Sequence, residues 1–116
     1  MPSTTSFDFG DVLLVPFPFS NQTAVKKRPA VVVSSNPYNR SRPDLIILAL
    51  TSQPSTTHAF GGTSLSNWKG AGLLKPSVFK PILTTIEKSL VIQKMGRLHA
   101  SDQKTLQQVL KTIIQV

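Results

Sequence analysis

The sequence predicts a small, mainly β domain of barrel-like build, finished by one C-terminal helix, and three observations predict it. Short apolar runs rich in Val, Leu and Ile, at 12–15, 30–33 and 45–50, are too brief for helices and are separated by turn residues. Nine prolines and six glycines punctuate 116 residues, a density that favours short strands joined by turns. Only near the end of the chain does helical spacing emerge, through Leu106, Val109, Leu110, Ile113 and Ile114. At 40% hydrophobic and 16% charged residues, 1–116 reads as a single domain, able to bury one core and too short for a second.

Met1 to Phe9 is expected as a flexible lead-in. It has neither the cationic start nor the apolar segment of a signal peptide, so a cytoplasmic location is expected. Gly10 and Asp11 punctuate the start of the first strand, Val12 to Val15; Pro16 to Phe19 alternates proline with phenylalanine, and Ser20 to Thr23 is turn-rich. Lys26, Lys27 and Arg28 then stand at the entrance of the second strand, where Pro29 biases Arg28 away from helix. Ser34 to Pro43 is expected as a surface turn, and Leu45 to Leu50 as a buried central strand ending at the hydroxyls of Thr51 and Ser52. Gln53 to Ser66 lacks periodicity and is expected as a long mobile loop. Leu73–Leu74 and Ser77 to Lys80 are expected as short rim strands bounded by Pro76 and Pro81; Ile82 to Ile86 and Leu90 to Leu98 continue the β pattern, with Gly96 at a bulge. The terminal helix is expected over 101–115, with Ser101 as N-cap and Asp102 at its positive end.

Thirteen Lys and Arg against five Asp and Glu give a net charge of +8, which points to an anionic partner, nucleic acid being the usual one for such a domain. A membrane partner is not expected, because the longest apolar run, Leu45 to Leu50, is far short of a spanning helix. With no cysteine, disulfides and thiolate metal sites are excluded. His58 and His99 form no ligand pattern with the few carboxylates, so no metal or cofactor is expected.

Gly10-Asp11-Val12 with Leu14-Val15-Pro16-Phe17-Pro18-Phe19, followed by Lys27-Arg28-Pro29-Ala30-Val31-Val32-Val33-Ser34, resembles the opening of the PemK/MazF-like toxins of type II toxin–antitoxin systems. The likeness continues through Thr51-Ser52, Gly72-Leu73-Leu74-Lys75-Pro76-Ser77-Val78 and Gly96-Arg97-Leu98. It implies an SH3-like barrel, usually a homodimer, that cleaves single-stranded messenger RNA with sequence selectivity and is neutralised by a small acidic antitoxin. Carried over by position, Arg28 falls on the family's catalytic arginine and Thr51 on its catalytic threonine. The chain departs from the family at Lys80, where many members have an arginine, and at Pro81 and Ile82, where some continue towards an aspartate.

RNA can be cut without a metal because its 2′-hydroxyl can attack the adjacent phosphorus and leave a 2′,3′-cyclic phosphate. The protein must then stabilise charge on the non-bridging oxygens, and protons must leave one oxygen and reach the other. Arg28 suits the first task through its planar fork, and Thr51 can hold the phosphate in line. Lys26, Lys27, Ser52, Gln53, His58 and Lys80 are expected to contact RNA. The proton carriers stay open between His58 and the arginine itself. Base selectivity is expected from loops 20–27 and 53–66, with Trp68, Tyr38 and Phe60 as stacking faces. Taken singly these residues have blander readings: a Lys-Lys-Arg run as a solvated turn, Thr51 as a strand-ender, Trp68 as a core or interface anchor. Two other functions compete. One is a non-catalytic RNA-binding module. The other is a gyrase-poisoning toxin of the same fold, whose Trp-Gly-Ile ending is absent from Thr112-Ile113-Ile114-Gln115-Val116.

Overall fold

The computed structural model describes residues 6–17, 26–52 and 63–116, which are organised around one antiparallel sheet. Its strands are β1 (Asp11–Phe17), β2 (Lys26–Val32), β3 (Asp44–Thr51), β4 (Val78–Glu87) and β5 (Gln93–Arg97), in the order β4-β3-β2-β1-β5. A short helix α1 (Asn36–Ser41) links β2 to β3, and α2 (Ala100–Ile113) follows β5. The expected mainly β fold with a terminal helix is what forms. Among the described residues, however, no ladder joins β4 to β5, so the sheet is not closed into a barrel.

Alternation along the strands sorts the apolar residues into two cores, which is why the central strands read as unbroken hydrophobic runs. On one face Val12, Val31, Leu48, Leu50 and Phe79 pack with Leu106 and Val109 of α2 and with Leu65, Ala71 and Leu73. This is the helix face. On the far face Leu13, Val15, Ala30, Val32, Leu45, Ile47, Ala49 and Ile86 pack with Phe7.

Several local expectations change. Residues 36–41 are helical rather than a turn: Ser35 caps the first turn by accepting from the Tyr38 amide, and Pro37 is tolerated at a helix start. Leu73–Leu74 forms no strand. The expected 77–80 and 82–86 strands are one element, β4, because the chain absorbs Pro81 in a bulge. Leu48 pairs with Leu83 and Leu50 with Phe79, so β4 spends four residues where β3 spends two, and the residue without an N–H lies in the surplus. Residues 88–90 form a 3₁₀ turn. The α2 N-cap is His99, whose Nδ1 accepts from the Ser101 amide; Ser101 already lies inside the helix.

Of the lead-in expected as flexible, residues 6–9 are instead tied down. Phe7 is buried, its carbonyl accepts from Asn39 Nδ2, the Asp8 amide donates to the Asp11 carboxylate, and Lys94 Nζ donates to the Ser6 carbonyl. Asp102 does comparable work for 63–73. Buried on the first turn of α2, it accepts from the amides of Ser66 and Asn67 and from Ser66 Oγ at 2.8–2.9 Å. Asp102→Ala strands those donors and is expected to destabilise the fold by roughly 2 kcal/mol, with Asp102→Asn intermediate, as read from denaturant midpoints.

Candidate functional site

β1 pairs Val15 with Arg28 and Phe17 with Lys26, and β2 pairs Ala30 with Ala49 on β3. Carried two residues further, that register sets Arg28 across from Thr51. β3 in turn pairs Thr51 with Val78, and Val78 is bridged to Ser64. The paired positions Thr51, Val78 and Ser64 therefore form one transverse row at the end of the sheet, about 4.8 Å per step, and Arg28 lies two residues beyond the last β2–β3 pair on the same register. Arg28 alternates with Ala30 and Val32, and Thr51 with Ala49 and Ile47, so both side chains belong to the far face. Phe79 belongs to the helix face, and Lys80, half-buried, follows it at the start of the bulge.

Small neighbours make room for the pair. Ala30 and Ala49 are the next residues inward on the same face, where larger ones would crowd the guanidinium. Thr51 is only 6% exposed and Arg28 is half-buried with its Nε inside, so the packed sheet fixes both stems. Three of the acidic residues are engaged elsewhere: Asp11 bridges Lys94 at 3.2 Å and Arg97 at 3.0 Å, Asp8 also meets Arg97, and Asp44 bridges Arg42.

The remaining expected contacts divide. Lys26 is exposed and shares the parity of Arg28; Lys27 is exposed and pairs with Pro16, on the opposite parity. Ser52 is exposed just past β3, beside a hollow also lined by Trp68. Gln53, His58, Phe60 and most of loops 20–27 and 53–66 lie outside the described residues. Tyr38 sits on α1, at the other end of β3, under the Arg42 guanidinium at 5.1 Å, so it is not brought to this end of the sheet. Trp68 packs against the helix-face core, as an anchor would. Sequence reasoning did not single out Ser64, because a serine in a polar aperiodic stretch carries no signal of its bridge to β4.

A cavity of ≈530 Å³ lies elsewhere, lined by residues that include Asp44, Ile47, Ile86 and Glu87. Asp44 and Thr51 are the two ends of β3, about 23 Å apart at strand rise, so this hollow is separate from the Arg28–Thr51 pair. At its rim the Arg42 guanidinium donates to Asp44 Oδ1 at 2.8 Å and holds that carboxyl below its ordinary range. A lowered folded pKa stabilises above the unfolded value and is lost as pH falls through the folded one. Wild type is therefore expected to lose a small increment of thermal stability below about pH 4 that Asp44→Asn lacks. Paired melts across pH 2–6 measure the difference.

Among the described residues, no three His, Asp or Glu side chains gather as a metal-ligand set, and no helix is long and apolar enough to cross a membrane.

Residues 8–114 match the family model described as PemK-like, MazF-like toxin of type II toxin-antitoxin system. The chain belongs to that family. No curated protein sequence matches it. Among solved structures, MazF from Deinococcus radiodurans is similar at 17% identity and TM-score 0.71, with 95% of this chain and 97% of that one covered. The toxin MazF-mt6 of Mycobacterium tuberculosis is similar at 16% identity and TM-score 0.69, covering 89% and 94%. A mycobacterial endoribonuclease in complex with its cognate antitoxin is similar at 16% identity and TM-score 0.66, covering 95% and 94%. At such identities the likeness establishes a shared fold.

Proposed function

We propose that the chain is a toxin that cuts single-stranded messenger RNA as a sequence-selective, metal-independent endoribonuclease. The observation that supports this reading is the β2–β3 register: Ala30 pairs with Ala49, and the same register carried two residues on would bring Arg28 opposite Thr51 on one face. In the reaction the ribose 2′-oxygen attacks the adjacent phosphorus as its proton leaves, and the bond to the 5′-oxygen breaks as that oxygen gains a proton. The products are a 2′,3′-cyclic phosphate and a 5′-hydroxyl. Arg28 grips two phosphate oxygens as charge builds on them, and Thr51 donates its hydroxyl to fix the phosphate in line. Lys26, Lys27 and Lys80 hold flanking phosphates, with Ser52, Gln53 and His58 contacting the strand beside them.

Family membership supports the reading, as do the names of the similar structures, which include an endoribonuclease with its antitoxin and a MazE–MazF complex. The net charge of +8 suits both an RNA substrate and an acidic antitoxin. The protein would act in the cytoplasm as a single-domain homodimer; sedimentation at micromolar concentration showing monomer alone would argue against the dimer.

The test is to incubate purified protein with mixed-sequence single-stranded RNA in the presence of a chelator and to map both ends at each cut. Fragments with cyclic-phosphate and 5′-hydroxyl ends are expected. RNA that is bound and left intact would identify a non-catalytic module instead, and 5′-phosphate ends would exclude attack by the 2′-hydroxyl.

A further inference from the structure

We propose that the hollow beyond β3, bounded by Ser52, Ser64, Trp68, Lys75, Ser77 and Val78, seats the RNA nucleotide next to the scissile phosphate. The inference rests on the endoribonuclease reading and deepens it by assigning where the strand runs once it leaves Arg28 and Thr51.

Continuity comes first. Val78 is the shared neighbour: it pairs with Thr51 on one side and with Ser64 on the other. The Leu65 amide donates to the Ser77 carbonyl and the Phe79 amide to the Thr63 carbonyl, which makes Ser64 and Val78 a non-hydrogen-bonded pair, the kind whose side chains lie closest. Two strand spacings place Ser64 about 10 Å from Thr51, within reach of an adjoining nucleotide. Ser52, directly after Thr51 and of the opposite parity, forms another part of the wall, so the hollow lies just past the end of β3.

Size and chemistry agree with that occupant. The volume is ≈390 Å³, within the range of about 300–1,000 Å³ typical of small-ligand sites. The Trp68 indole supplies an apolar wall for a base, held in place because its other side packs on the helix-face core. The Lys69 ammonium stands 5.5 Å from the ring centroid and adds positive charge. Ser52 and Ser64 are exposed hydroxyls able to pair with a base edge or a ribose, and the exposed Lys75 ammonium can meet a phosphate. A core-anchor role accounts for the buried part of Trp68. It does not account for a hollow lined by hydroxyls with a lysine among its walls.

Trp68 is the chain's sole tryptophan, so its fluorescence reports on this hollow directly. The full chain is titrated with an end-labelled, mixed-sequence decanucleotide of 2′-O-methyl RNA, which has no 2′-hydroxyl to attack. Label anisotropy follows binding and indole emission follows occupation of the hollow. Emission is expected to change in step with anisotropy. Lys75→Ala is expected to weaken binding about threefold to tenfold and to reduce the slope of log affinity against log salt by about 0.7, one single-strand phosphate contact. On a long transcript that variant should raise KM and leave kcat unchanged. Saturated anisotropy with constant emission and an unaltered salt slope would overturn the hollow while leaving RNA cleavage standing. A full emission response with no transcript cut would uphold the hollow and overturn the endoribonuclease reading. No binding at all would overturn the hollow.

Discussion

Arg28→Ala is expected to lower kcat for RNA cleavage by about 100-fold or more, the usual consequence of removing a positioned donor from an oxyanion in its transition state. The phosphorus gathers charge only as the 2′-oxygen closes on it, so a side chain gripping the non-bridging oxygens contributes more there than in the bound ground state. KM should accordingly move less than kcat. Arg28→Lys keeps the charge and loses the fork, so it should recover part of the rate and not all of it. Thr51→Val preserves shape and removes the hydroxyl; a loss of similar order is expected, largely restored in Thr51→Ser. Because both side chains act on one phosphate, the double variant should fall well short of the product of the single losses. Single-turnover cleavage of a defined transcript, alongside thermal melts to confirm folding, measures all five. Full activity in Arg28→Ala would remove the basis for the proposed chemistry.

What the residues disclosed beforehand follows from how locally each feature is encoded. The unbroken apolar run Leu45 to Leu50 and the short Ala30 to Val33 announce strands covered on both faces, and the 3.6-residue spacing from Leu106 announces α2. Arg28 and Thr51 could be singled out only through resemblance. Their shared face follows from the register set by the pairing of Ala30 with Ala49, and pairing partners far apart in sequence leave no periodic trace. Helix α1 was hidden because Asn, Pro and Ser are turn formers, and the same residues cap and start a helix when the next element is close behind. His99 carries no cap signal in the sequence because an imidazole is an unusual acceptor at a helix start, whereas the serine two positions on is a common one. The bulge at Pro81 is the opposite case. The proline was visible, yet only the pairing of Leu48 and Leu50 across it shows that β4 continues beyond. Most instructive are Gly72 and Gly96, which stand in two separate pieces of the family-like pattern: nothing along the chain says that they meet.

Their meeting carries the largest stability effect expected here. Gly72 has φ +87°, a conformation that side-chain-bearing residues rarely adopt, and a Cβ there would lie 2.2 Å from the Met95 carbonyl oxygen. A Cβ on Gly96 would lie 2.4 Å from the Ala71 carbonyl oxygen. The two backbones cross in contact, and neither obstacle is a side chain that could swing aside. Gly72→Ala should destabilise by roughly 3 kcal/mol, combining the positive-φ penalty with forced separation of the chains, and Gly96→Ala by roughly 2 kcal/mol, from separation alone. Once one substitution has parted the strands the second Cβ meets less, so the double variant should cost less than the sum, a coupling readable from denaturant midpoints of all four proteins. Function should follow in a particular way. The Gly72 turn lies between Trp68 and Lys75, two walls of the proposed nucleotide hollow, while Arg28 and Thr51 are held by β2 and β3. At a temperature where it remains folded, Gly72→Ala should therefore raise KM for RNA several-fold and spare kcat, the reverse of the pattern expected for Arg28→Ala; equal losses in kcat for both would mean that the crossing supports the catalytic row itself.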